Sequence, residues 1–252
     1  MRFDIITIFP HIFDSYFNES ILKRAREKKL ADIRVHNLRD FTEEKHKQVD
    51  DKPYGGGAGM VLMADPILKA VDKLISYKFV SSGARKNFKT YKLKNLQTKI
   101  IVLSAKGKQY NQKMAYDWSK KYNRIIFITG RYEGIDERVR LALKAEEISI
   151  GPYVLTDGDV AAMVIVSSLV RLIPGAIKWE SLREESHWNL VIKKEERKAF
   201  QGKGLEYPHY THPDVIEYHG KKYRVPRVLL SGNHKEIEEW RKKQKTKAIN
   251  IF

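Results

Sequence analysis

No cysteine occurs anywhere in the chain. Disulfides, zinc–thiolate sites, iron–sulfur clusters and cysteine nucleophiles are thereby excluded. Acidic residues are in short supply: 31 Asp and Glu face 48 Lys and Arg, giving a net charge of +17 and a pI near 9.7. Such an excess favours an anionic partner, either nucleic acid or an acidic membrane surface. Long apolar runs are missing as well. The longest, Val160 to Val170, is bounded by Asp159 and Arg171. It falls well short of the roughly 20 residues that cross a bilayer, so a buried helix is expected there. The opening MRFDIITIFPHIF is apolar but broken by Asp4 and Pro10, with no small-residue cleavage site after it. No targeting segment is expected, and the default location is cytoplasmic. What is present, 252 residues of which 42% are hydrophobic and 31% charged, suits a globular chain of one large or two modest domains.

Strand and helix patterns alternate over the first two thirds. Phe3 to Ile8, Ile33 to Leu38, Ile100 to Leu103, Ile125 to Ile128 and Glu147 to Ile150 read as short strands. Those at 100–103 and 125–128 show no polar alternation, the pattern of strands covered on both faces of a parallel sheet. Phe13, Phe17, Ile21 and Ala25 mark one face of an amphipathic helix. Asp65-Pro66 opens a second helix, whose apolar side is Ile67, Leu68, Val71, Leu74 and Ile75. A third helix carries Met114, Ala115 and Trp118, and the apolar helix around Val160 to Leu172 follows. The class is α/β. Two stretches break the pattern. Residues 78–99 carry Lys78, Arg85, Lys86, Lys89, Lys92, Lys94 and Lys99 with no acid, a basic insertion or hairpin. Lys178 to Gly204 is polar and without a clear period beyond a short helix at Lys193 to Phe200, and reads as a linker. A small module follows over 205–252. It ends in a helix that Asn233 and Glu236 cap by their spacing and that carries the basic tail Arg241, Lys242, Lys243, Lys245 and Lys247.

Four segments have the composition of sites. In Asp50 to Met60, Gly55, Gly56, Gly57 and Gly59 let backbone approach a ligand or take positive φ. No Gly-Lys-Ser/Thr follows, so it is not a P-loop, and Leu62 spoils a dinucleotide fingerprint. His46 and Asp50, just upstream, could contact a base or phosphate, or be solvated loop residues. Thr129 to Arg138 begins where a predicted strand ends, the place where ligands gather in open α/β sheets. Its Glu133 and Asp136 could bind hydroxyls, an amine or a metal ion, or merely begin a helix. Ser149 to Asp159 also follows a strand, and its Gly151-Pro152 cannot continue a ladder, so its backbone groups can read an adenine ring or form an ordinary turn. Glu206 to Pro213 interleaves Tyr207 and Tyr210 with His209 and His212. That mixture suits stacking on nucleic acid, or less readily a metal ion.

Taken in order, Asp40-Phe41-Thr42, Val49 to Met60, Gly130 to Val139, Ser149 to Leu155, Arg171 to Gly175, Pro208 to Thr211 and Leu229 to His234 closely resemble the bacterial tRNA (guanine-N1)-methyltransferases of the TrmD type, in the knotted SPOUT superfamily. The resemblance covers almost the whole chain. It implies an α/β parallel sheet with a deep trefoil knot over residues 1–177 and a small, mainly helical tRNA-binding domain over 205–252. It also implies an obligate homodimer with the active site at the subunit interface. The methyl donor, S-adenosylmethionine, is expected at Leu103, Ser104, Gly130, Glu133, Gly134, Ile150, Gly151, Pro152, Tyr153, Val154 and Leu155. The substrate is expected to be tRNA with guanine at position 37, 3′ to the anticodon, contacted by His46, Asp50, Gly55, Gly56, Gly57 and Gly59. Arg171 matches the family's arginine. The family's general base, an Asp followed by Ser, falls here on Glu185, with Glu184 as a substitute. Some members need Mg²⁺, for which Glu133 is a nearby carboxylate. The sequence departs from the family at Ala105, where Pro is usual, and at Asp157-Gly158-Asp159 with Ala161, where Gly-Gly-Glu and Pro are usual. The Asp-to-Glu change keeps two alternatives open: a catalytically weak RNA-binding relative, or a knotted methyltransferase acting on another RNA nucleotide.

Overall fold

The computed structural model describes residues 1–76, 97–178, 181–182, 186 and 206–247. The chain divides into two compact units, Met1–Ile177 and Lys178–Phe252. The expected helix at Lys193 to Phe200 lies outside the described residues, as does all but the end of the expected insertion.

The first unit is built on one sheet. Strands β1 (Arg2–Thr7), β2 (Asp32–Asn37), β5 (Thr98–Gln109), β6 (Arg124–Thr129) and β7 (Glu146–Ser149) pair in the order β2-β1-β6-β5-β7. Every pairing is parallel. Short strands β3 (Asp50–Asp51) and β4 (Val61–Leu62) form a separate antiparallel pair. Helices α1 (Asp14–Phe17), α2 (Ser20–Glu27), α4 (Gln112–Lys121) and α6 (Asp159–Val170) contribute to one core, and α3 (Ala64–Ser76) and α5 (Glu137–Leu143) to the other.

The β-branched runs explain this layering. Successive residues of a strand point to opposite faces. Phe3, Ile5, Ile101, Leu103, Ile125 and Phe127 join α4 and α6 on one side. Ile6, Ile100, Val102, Ile126 and Ile128 join α3 and α5 on the other. Both sets are buried, so no polar alternation was available to the sequence. Helix α6 is apolar almost all round because it lies against the sheet on one side and keeps Val160 and Val164 exposed on the other.

Three expectations need correction. The predicted helix through Phe13, Phe17, Ile21 and Ala25 is three pieces: a 3₁₀ turn at Pro10–Phe13, the single turn α1, and α2. A left-handed Ser20, with φ +49°, follows Glu19 and redirects the chain. Phe13, Phe17 and Ala25 face one core as expected, but after the break Leu22 takes the core place expected of Ile21. Thr98 and Lys99 do not belong to an insertion but open β5. There the Lys99 ammonium meets the Glu146 carboxylate and lies 4.8 Å over the Trp118 ring. The second unit, expected to be mainly helical, also contains an antiparallel hairpin of β8 (Val215–Tyr218) and β9 (Lys221–Arg224) beside α7 (Arg227–Leu230) and α8 (His234–Lys247). Of the capping pair on α8, Asn233 Oδ1 accepts from the Glu236 amide at 3.4 Å.

At the starting end of the strands a charge is buried in the sheet. Asp4 is wholly buried. Arg2 donates to both of its oxygens at 2.7 and 2.8 Å, Arg124 Nε donates at 2.7 Å, and His36 Nε2 lies 2.8 Å away. Burial alone would raise this carboxyl's pKa. The bonds from His36 and Arg2 and the Arg124 charge outweigh it, and hold the group at about 2 against an ordinary 3.8. A carboxyl depressed in the folded state stabilises above its unfolded pKa and stops doing so as pH falls through the folded one. Asp4 therefore contributes about 2 kcal/mol above roughly pH 4, and this is lost on acidification towards pH 2. Asp4→Asn is expected to cost roughly 3–5 kcal/mol in urea unfolding at pH 7, because Arg124 is left buried without its counter-charge. It should also flatten the stability–pH curve between pH 4 and 2.

Candidate ligand cavity at the strand ends

Strand β5 bulges, and its neighbours β6 and β7 end, in three turns, and a cavity of about 400 Å³ opens between those turns. Strand β5 supplies the first wall by leaving the ladder and rejoining it. Leu103 and Lys108 both register with Ile148, so residues 104–107 leave the ladder, and Ser104, Ala105 and Lys106 line the cavity. Gly107 allows this. A Cβ there would sit 2.5 Å from the Ile148 amide nitrogen and 2.6 Å from the Glu147 carbonyl carbon, closer than any side chain tolerates.

The second turn, after Thr129, is bounded by helix α5. Asp136 caps that helix by accepting from the Arg138 amide at 2.9 Å. The third turn is wound by Ser149, whose hydroxyl donates to the Gly151 carbonyl at 2.8 Å and accepts from its amide at 3.2 Å. A Cβ on Gly151 would strike the Tyr153 ring at 2.3 Å. Second and third turns touch: the Gly158 amide donates to the Gly130 carbonyl at 2.8 Å. A Cβ on Gly158 would lie 2.9 Å from the Gly130 nitrogen. Asp157 has two tasks. Its Oδ1 accepts from the Asp159 and Val160 amides at the start of α6, at 3.0 and 3.4 Å. Its Oδ2 meets Arg131 at 3.4 Å. Arg131 in turn stacks 4.4 Å over the exposed Phe9 ring. Asp159 is buried, and burial raises its carboxyl pKa against the opposing hydroxyls of Thr129 and Thr7.

Of the eleven residues expected around the methyl donor, Leu103, Ser104, Gly130, Glu133, Gly134, Ile150, Tyr153, Val154 and Leu155 line this cavity. Gly151 and Pro152 do not: they shape the turn behind it. The lining also includes Ala105, Lys106, Arg131, Asp157 and Ala161, which sequence reasoning did not place there. The signal for Lys106 was Gly107, a glycine in the middle of a strand-like run, which marks a bulge or a close backbone approach.

The residues expected to meet the nucleobase are elsewhere. His46, Asp50, Gly55, Gly56, Gly57 and Gly59 are absent from the lining. The glycine-rich loop hangs from the β3–β4 pair, and all four glycines have positive φ. It adjoins the second turn through three backbone bonds: Glu133 amide to Met60 carbonyl, Leu62 amide to Gly134 carbonyl, and Asp136 amide to Leu62 carbonyl, at 3.0–3.1 Å. Gly59 is pressed on the Glu133 side chain, where a Cβ would lie 2.6 Å from a carboxylate oxygen. Arg171 is half-buried at the carboxyl end of α6. Glu184 and Glu185 lie outside the described residues. Their neighbour Ser186 exchanges two hydrogen bonds with Glu206, 3.0 Å from its amide and 3.1 Å to its hydroxyl. Among the described residues no three His, Asp or Glu side chains gather as a metal site. No described helix is long and apolar enough to cross a membrane.

A doubly covered parallel sheet with a half-apolar cavity beyond its carboxyl edge defines a small-ligand-binding α/β protein. The chain belongs to a particular family of that class: tRNA (Guanine-1)-methyltransferase TrmD, whose profile matches residues 1–250. It is 48% identical over 248 residues to the tRNA (guanine-N(1)-)-methyltransferase of Dictyoglomus turgidum, covering 98% of this chain and 86% of that one. It is 45% identical to the enzyme of that name from Thermomicrobium roseum, covering 96% of this chain and 78% of the relative. With its Clostridioides difficile counterpart it shares 44% identity, covering 97% and 92%.

Gly107→Ala is expected to lower the thermal midpoint by several degrees, because β7 backbone must move and overpacking of this kind costs roughly 1–3 kcal/mol. Calorimetry checks this.

Proposed function

We propose that this protein transfers a methyl group from S-adenosylmethionine to N1 of the guanine at tRNA position 37, 3′ to the anticodon. The observation that carries the reading is the full-length family match over residues 1–250, joined to a cavity on the turns where the donor is expected. The cavity suits the donor. Its volume of about 400 Å³ falls in the usual range for small-molecule sites. Apolar faces from Leu103, Ile150, Leu155 and Ala161 suit an adenine ring, while the Glu133 carboxylate and turn amides suit its polar ends. Bound there, the donor supplies an electrophilic methyl on a sulfonium sulfur.

The chain must do the rest. Neutral guanine carries a proton on N1 and cannot attack until it is lost. In this reading Glu185 accepts that proton, a step that contributes typically 10²–10⁴-fold. Negative charge then moves towards the guanine carbonyl oxygen, where Arg171 offsets it. The glycine-rich loop, with His46 and Asp50 at its base, holds the nucleobase beside the cavity, and its bonds to the Glu133 turn set the distance between them. The net charge of +17 supplies the affinity for phosphate. No step is routed through Mg²⁺, since Glu133 belongs to no cluster of ligands among the described residues. In keeping with the family, the chain is read as threaded through a trefoil knot at these turns. The knot is one of the rare exceptions to unthreaded connections. The second unit is read as a tRNA-gripping module, and the place of action as the cytoplasm.

A homodimer with the active site at its interface is part of the same reading. Phe9, Ile12, Tyr16, Val160 and Val164 are each at least 40% exposed. They lie on elements joined by the Tyr16–Ser167 hydrogen bond, and Phe9 reaches Arg131 on the cavity wall. An apolar strip of this kind beside a site is what a second subunit covers. Val164→Glu is expected to yield monomers in sedimentation and to abolish transfer; an intact dimer would place the interface elsewhere.

The decisive assay incubates tRNA transcripts with labelled S-adenosylmethionine and maps the methylated base. 1-Methylguanosine at position 37 is expected. Methylation of another nucleotide would refute the specificity, and tight tRNA binding without transfer would refute the enzyme. Glu185→Gln should lose turnover at least 100-fold while binding the donor normally. Full activity in that variant would overturn the base assignment.

A further inference from the structure

We infer that one face of the β8–β9 hairpin is a stacking platform for unpaired RNA bases, using Tyr218 and Tyr223, with Lys221 and its basic neighbours on the adjoining phosphates. The inference rests on the tRNA-modifying function proposed above. The hairpin turns on His219-Gly220, both at positive φ, as a two-residue reversal requires. Register then fixes the faces: Ile216 pairs with Tyr223 and Tyr218 with Lys221. Cross-strand partners share a face, and so do alternate residues along a strand. Ile216, Tyr218, Lys221 and Tyr223 therefore share one side. Glu217, Lys222 and Arg224 occupy the other.

That side lacks the packing a hairpin normally uses. A two-stranded ribbon is marginally stable by itself and normally buries one face. Here Ile216 is 53% exposed, Tyr218 65% and Tyr223 46%. Two aromatic rings and an isoleucine in water are a costly surface to maintain without an occupant. Charge identifies which occupant fits. Lys221, Lys222, Arg224 and Arg227 stand against the single acid Glu217 over residues 215–227. The Lys221 ammonium lies 5.4 Å from the Tyr223 ring centroid, and the His219 ring meets Tyr218 edge-on at 4.2 Å. Rings beside Lys221 on one face, with Lys222 and Arg224 on the other face of the same hairpin, suit a base that stacks while its phosphates are neutralised. The surrounding cations disfavour a purely apolar partner.

The test measures binding of the full chain to a tRNA transcript by fluorescence anisotropy, with donor binding followed in parallel. Tyr218→Ala combined with Tyr223→Ala should weaken tRNA about 10- to 100-fold, as expected for losing one or two stacked bases. Donor affinity should not change. Tyr218→Phe with Tyr223→Phe keeps the rings and should bind tRNA within about twofold of wild type. If the alanine pair binds tRNA normally, the platform is refuted. It is refuted equally if the phenylalanine pair is as weak as the alanine pair, since ring stacking is then not the source. Loss of binding to anionic phospholipid vesicles with tRNA affinity intact would assign the face to a membrane and overturn the inference. Failure of the functional reading is separable: wild-type protein would then make no 1-methylguanosine whatever the hairpin variants do.

Discussion

Everything at the functional end of the first unit depends on how closely β5 can approach β7 at Gly107. Because no side chain stands there, the β7 backbone passes where a Cβ would have been, and Ser104, Ala105 and Lys106 of β5 are thrown outwards. Those residues form a wall of the cavity that a regular ladder could not supply. The other two walls come from strands that simply end, since a parallel sheet leaves backbone groups unpaired beyond its carboxyl edge. Gly158 then draws the second and third turns together by a direct amide–carbonyl bond. Close backbone contact, more than any single charged group, holds the site's shape.

Charge is distributed differently at the two ends of the sheet. At the strand starts one carboxylate is fully buried and held by two guanidinium groups and an imidazole, a self-contained network. Near the strand ends the pairing is mixed: Arg138 holds Asp136 at 2.6 Å, while Arg131 meets Asp157 at 3.4 Å and Lys106 meets Glu147 at 3.5 Å. The starting end is suited to rigidity. At the finishing end the long pairs leave Arg131 and Lys106, both on the cavity wall, freer to turn towards a ligand.

The central sheet was largely legible in the sequence, because runs such as Ile125–Ile128 and Ile100–Leu103 are apolar on both faces and only a doubly covered strand accommodates that. The turns at Gly130 and Gly151 were legible as glycine directly after such runs. Other features were hidden for physical reasons. The period from Phe13 to Ala25 fits a continuous helix, and the left-handed Ser20 that breaks it has no composition signature. Strands β8 and β9 carry polar residues on both faces, so no alternation announced them; His219-Gly220 was the only local sign. The bulge at residues 104–107 depends on a close approach from β7, about 40 positions along the chain; Gly107 marks that a bulge or close contact is due there, but not which strand makes it. Gly59 against Glu133 is hidden for the same reason. Each belongs to a different motif, and only folding brings them into contact.

Arg124 has a further consequence. Its Nη1 donates to the Leu74 carbonyl near the end of α3, and the amides of Asn123 and Arg124 both bond the Gln97 carbonyl just before β5 begins. The two flanks of residues 77–96 are thus fastened to the same point of the sheet. The end of α3 and the start of β5 therefore share one anchor on the sheet, and that anchor is itself tied to the buried Asp4 carboxylate through the Arg124 side chain.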